Sequence, residues 1–102
     1  MIAALEGKRA EIAALCRRHH VRSLEVFGSA ATGAFDPGGS DFDFLVDFHP
    51  LSPGEVAEAY FGLLEALQAL LGRSVDLVMI RAVANPYFLK AIEGSREVLY
   101  AA

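Results

Sequence analysis

The chain predicts an α/β fold (α+β in some schemes), a small mixed β-sheet covered by helices. Three observations predict it. Helix-spaced apolar stripes alternate with short strand-like runs. The elements read α-β-α-β-α-β-α-(β), the order of a layered sheet-and-helix domain. One run, "SVDLVMI" (74–80), is apolar on both faces except for Asp76, as expected of a strand in the middle of a covered sheet.

Residues 2–20 are rich in Ala, Leu, Glu and Arg, and so predict a helix. Leu5, Ile12 and Leu15 give it a narrow apolar stripe. Arg17, Arg18, His19 and His20 crowd its last turn, where cations suit the helix dipole. "RSLEVF" (22–27) alternates as a strand and Gly28 ends it. Ser29 then suits the cap of a short helix over "SAAT". Pro and Gly make 34–40, "AFDPGGS", a turn or loop. "DFDFLVDF" (41–48) alternates sharply. Phe42, Phe44, Val46 and Phe48 take one face, and Asp41, Asp43, Leu45 and Asp47 take the other.

Ser52, Pro53 and Glu55 form a strong helix start, with a capping box. The stripe that follows runs Val56, Tyr60, Leu63, Leu64, Leu67 and Leu71, and Gly72 ends the helix. That stripe reads as core. Asn85 and Pro86 open a further helix that ends near Gly94, and "REVLY" (96–100) adds a short edge strand. No linker interrupts the 102 residues, so the expectation is one domain, 1–102.

Bulk properties exclude several classes. Hydrophobic residues make up 54% of the chain, enough for a real core. The net charge of −4 and a pI near 5.2 argue against a broad basic surface for nucleic acid. A single cysteine, Cys16, excludes an internal disulfide and suits the reducing cytoplasm. No signal peptide is legible, and the apolar runs fall well short of the ~18 residues that would span a membrane.

The unusual feature is the pair Asp41 and Asp43, because strands disfavour Asp. Two positions along a strand is roughly 6.7 Å, with both side chains leaving one face. Carboxylates so placed can converge on a pair of ions, and oxygen donors of this kind select Mg²⁺ or Mn²⁺ over Zn²⁺. Asp47 shares the face but lies roughly 13 Å further along, outside such a site. On its own, Asp-x-Asp reads equally as an edge strand with a wet face. Neighbouring features add weight. Gly28 allows close backbone approach, and Ser29 offers a hydroxyl at a helix start, where phosphate binds well. Asp76, within an apolar strand, is expected to be buried and therefore paired or metal-bound. The plain alternatives are an ordinary strand-to-helix turn at Gly28–Ser29 and a turn-capping Asp76.

Other motifs fail. "GSAATG" (28–33) has P-loop glycine spacing, but Ala34 and Phe35 stand where Lys and Ser/Thr belong. An EF-hand from Asp41 would need Gly and Glu where Val46 and Ser52 stand. Cys16, His19, His20 and His49 have poor zinc spacing and lack a second cysteine.

"FGSAATGAFDPGGSDFDFLVDF" resembles the signature of the polymerase-β-like nucleotidyltransferases, and above all their minimal bacterial branch, the MNT proteins. The pattern is Gly-Ser, a spacer, Asp-x-Asp, and a third carboxylate on a later strand. Here these are Gly28, Ser29, Asp41, Asp43 and, in "VDLV", Asp76. The resemblance covers nearly the whole chain. The spacer is one residue longer than is common in the family. Thr32 stands where many members carry an arginine, as in "GSxARG".

The resemblance implies transfer of a nucleoside monophosphate, AMP from ATP, to a hydroxyl, with loss of pyrophosphate. Gly28, Ser29 and Ser40 would bind the nucleotide. Asp41, Asp43 and Asp76 would be catalytic and bind two Mg²⁺ (or Mn²⁺) ions. It further implies the antitoxin half of a HEPN/MNT toxin–antitoxin pair, with a helical HEPN protein as partner and AMP acceptor. The alternative is an antitoxin that neutralises its partner by binding alone. Self-association is left open.

Overall fold

The computed structural model describes residues 3–28, 31, 41–83 and 85–102. The helix expected over 2–20 is two helices, α1 (Ala3–Glu6) and α2 (Arg9–Arg18). Gly7 has weak helix preference and sits at the break. The chain stays compact there, because Gly7 N–H donates to the Ala3 carbonyl at 2.9 Å and Lys8 N–H to that of Leu5 at 3.1 Å. Leu5, Ile12 and Cys16 are fully buried. Cys16 thus takes the stripe position assigned to Leu15, which is only partly buried.

The other elements are β1 (Val21–Phe27), β2 (Phe42–Phe48), α3 (Pro53–Leu71), β3 (Val75–Met79), α4 (Pro86–Ile92) and β4 (Glu97–Ala101). The capping box of α3 is present as expected. Ser52 Oγ accepts from Glu55 N–H, and the Glu55 carboxylate accepts from Ser52 N–H. Gly72 closes that helix with φ 69°, a left-handed conformation that glycine adopts readily. The short helix expected after Ser29 lies outside the described residues, apart from Ala31, which is helical and buried.

Among the described residues, four strands form one mixed sheet in the order β3-β2-β1-β4. β1 is antiparallel to β2 and β4, and β2 is parallel to β3. The edge strand expected near "REVLY" is β4. The central position expected for "SVDLVMI" is not found: β3 is the other edge. Its apolar residues serve a different end. Val75 and Leu77 are buried on the helix side, and Tyr60 Oη on α3 donates to the Leu77 carbonyl at 2.6 Å.

The core lies between the sheet and the helices α1, α2 and α3. Phe42, Phe44, Val46 and Phe48 supply β2's share, opposite Ala59, Leu63 and Leu67 of α3. Phe42 and Phe44 stack with centroids 6.1 Å apart. The second face of the sheet is not bare. Leu45 is 1% exposed there. Phe27, just before Gly28, meets Phe88 of α4 edge-on with centroids 5.8 Å apart. The fold therefore buries one face under three helices and leaves α4 to flank the other, where the aspartates stand.

Candidate functional site

Alternation on β2 sends Asp43 to the side away from the core, between buried Phe42 and Phe44. Two neighbours bracket it. In the antiparallel register Asp43 lies opposite Phe27 on β1, and in the parallel register opposite Asp76 on β3. Adjacent strands run about 4.8 Å apart, so the two carboxylates leave the sheet side by side. Asp41 directly precedes β2 and is exposed. The fold thus brings Asp41, Asp43 and Asp76 to one region of one face.

Asp76 is not buried as expected but exposed. The cause is the edge position of β3. Val75 and Leu77 face the helices, and among the described residues no strand or helix is stacked over Asp76 on the other side to exclude water. The argument from a buried carboxylate therefore falls away, and register with Asp43 is what ties Asp76 to the group.

Asp43 is the half-buried member. Burial, then the negative charges of Asp76 and Asp41, hold its carboxyl above the ordinary aspartate range. The three groups thus act on one another, and a cation among them would relieve the strain. Among the described residues, no three His, Cys, Asp or Glu side chains stand close enough to form a complete ion-binding group. The donors themselves are all oxygen, the chemistry suited to Mg²⁺ or Mn²⁺.

Gly28 closes the region from the β1 side. Its φ is 74°, where a side chain is strained. A Cβ built on it would lie 2.8 Å from Asp43 Oδ2, so the Asp43 carboxylate would have to shift. Glycine here leaves room for the Asp43 carboxylate. The Gly28 N–H donates to Ser95 Oγ at 3.2 Å. Ser29 and Ser40, the other residues expected to bind nucleotide, lie outside the described residues, as does Thr32.

Asp47 sits four positions further along β2. It pairs with Arg81 (Nε to Oδ1, 2.8 Å) and Arg22 (Nε to Oδ2, 3.6 Å). Two residues that the sequence reading missed touch the Gly28 end of β1: Ser95, and Phe88 against Phe27. Neither had a local signal, since each contact joins segments more than sixty positions apart.

A profile of the nucleotidyltransferase domain matches residues 10–99. The chain belongs to the nucleotidyltransferase domain family. A Methanocaldococcus jannaschii protein, named provisionally as a protein adenylyltransferase, is 37% identical over 76 residues, 74% of this chain and 74% of that protein. A solved structure described, also provisionally, as a minimal nucleotidyltransferase is 34% identical, with a TM-score of 0.72 over 91% of this chain and 90% of its own. A chain of a Shewanella oneidensis complex, a tri-AMPylated HEPN toxin with its MNT antitoxin, gives a TM-score of 0.65 at 21% identity. That match covers 96% of this chain and 73% of the other, and at such identity it speaks to the fold. The polymerase-β-like nucleotidyltransferase fold expected from the motif is thus the fold of this domain.

Proposed function

We propose that this nucleotidyltransferase domain, spanning 1–102, moves AMP from ATP to a hydroxyl of a partner protein in the cytoplasm. The observation that carries the reading is Asp43, placed in register with Asp76, two residues from Asp41 and against the Gly28 turn. Support comes from the relatives named as protein adenylyltransferases. A HEPN-type helical protein is the proposed partner, because chains of this fold occur in HEPN–MNT complexes. The domain would be the antitoxin of such a pair.

In this reading the Gly28 turn, with Ser29 and Ser40, receives the triphosphate. Asp41, Asp43 and Asp76 would hold Mg²⁺, which neutralises phosphate charge when bound. The carboxylates orient the acceptor hydroxyl and the α-phosphate toward each other, and Asp76, open to solvent, can take the hydroxyl proton. Transfer forms a bond from the acceptor oxygen to the α-phosphorus and breaks the bond to the β-phosphate, so pyrophosphate leaves.

The test is labelled ATP with Mg²⁺ and the product of the neighbouring gene, with Asp41→Asn/Asp43→Asn as control. Label is expected on the partner with wild type, and a drop of at least ~100-fold with the variant. A second reading, neutralisation by binding alone, draws on Thr32 in place of the family's arginine. Tight partner binding with no label from either protein would establish it and sink the transfer.

A further inference from the structure

Three contacts tie the segment 88–96 to the end of β1 and the Gly28 turn that follows it. Arg96 grips Glu25 with two hydrogen bonds, Nη2 to Oε2 at 2.7 Å and Nε to Oε1 at 3.2 Å. Both side chains are well covered, at 26% and 16% exposure, so solvent weakens this pair less than a surface one. Phe88 meets Phe27 edge-on. Ser95 Oγ accepts from Gly28 N–H at 3.2 Å and donates to the Ile92 carbonyl at 3.0 Å. The hydroxyl is therefore fixed on both sides, and it reaches Gly28, whose missing Cβ makes room for Asp43.

We propose that the segment 88–96 is a clamp on the proposed nucleotide site, with Ser95 as a positioning residue that sets the Gly28 turn against Asp43. The proposal rests on the reading of Gly28–Ser29 as the nucleotide's seat. Positions 25 and 27 of β1 and position 28 just after it are held by an ion pair, a ring contact and a hydrogen bond. Glu25 and Phe27 anchor the strand, and Ser95 alone of these ties acts on the turn itself. Without the hydroxyl, the Gly28 N–H loses this hydrogen bond and Gly28 is held less firmly against the carboxylate. The chemistry at the aspartates would be untouched, so the effect belongs on nucleotide binding more than on turnover.

The experiment compares wild type with Ser95→Ala, Ser95→Thr and Phe88→Leu. ATP affinity is measured by calorimetry with Mg²⁺ present, and KM and kcat by AMP transfer to the partner. Ser95→Ala is expected to weaken ATP binding and raise KM by about fivefold, the worth of one hydrogen bond, with kcat within about twofold. Ser95→Thr keeps the hydroxyl and is expected to restore wild-type affinity. Phe88→Leu loosens a different tie and is expected to weaken ATP binding in the same direction. Wild-type ATP affinity in both Ser95→Ala and Phe88→Leu overturns the clamp. So does a loss that Thr does not restore, because that marks a general packing defect. If wild type binds ATP but labels no partner, the transfer reading fails while the affinities still decide the clamp. A wild-type chain that binds no ATP overturns both.

Discussion

At the residue scale, Gly28 and Asp43 form one unit. Gly28→Ala would face a strained φ and a contact of 2.8 Å with Asp43 Oδ2. It is expected to destabilise the fold by about 1–3 kcal/mol in urea unfolding and to reduce transfer strongly. Asp43→Asn should move stability the other way. The Asp43 carboxyl is held above its ordinary range, so its charged form costs the folded state free energy. The cost is absent below the ordinary carboxylate range and fully present once pH exceeds the raised value. The Asn variant is therefore expected to melt higher than metal-free wild type at pH 7, and to lose that advantage in acid. A melting point at pH 7 equal to or below that of wild type would refute the crowding. Asp41, Asp43 and Gly28 were legible because strand period and glycine chemistry are local. The exposure of Asp76 was not, because it depends on which strand ends the sheet.

At the element scale, α2 meets α3 where His19 lies over Gly62. A Cβ on Gly62 would come within 3.0 Å of two His19 ring atoms, so the bare helix face makes this approach possible. Burial first, then Arg18 and His20, keep the His19 imidazole below its usual 6.5. The neutral ring is the one that fits. Its contribution is whole above pH ~6.5 and drains away as pH falls through the lowered value. Wild type is therefore expected to lose stability between pH 7 and pH 5, and His19→Asn to show a shallower slope in denaturant midpoints. The capping box of α3 and the β4 edge could be read from sequence because their signals span a few residues. The β3 run was misplaced for the opposite reason. An apolar strand beside a long covering helix has the same composition at an edge as in the middle.

At the scale of the whole molecule, the architecture divides the sheet into a dry face under α1, α2 and α3 and a face that carries the acids. Cys16 reports on the dry side. Burial raises its thiol to about 12, so almost no thiolate exists at neutral pH. Alkylation by iodoacetamide at pH 8 is expected to proceed only as fast as global unfolding, and to track the urea transition. Rapid labelling of the native protein would show that α2 opens independently. The layered fold and the family were legible because periodicity and an ordered three-part motif survive without long-range knowledge. The ties from residues 88–96 were not, since Ser95 and Arg96 carry no local mark of the strand they hold.

The parallel pairing of β2 with β3 governs when the proposed site comes into being. Parallel neighbours cannot be joined by a tight turn, so the chain must build and dock all of α3 before Asp76 reaches Asp43. During synthesis, a nascent chain that has emerged only as far as β2 holds Asp41, Asp43 and the Gly28 turn but not their third partner. The Ser95 contact arrives later still. The proposed nucleotide site is thus complete only once β3 and the segment 88–96 have been made, and a product that stops after α3 would hold β1 and β2 without Asp76 or Ser95.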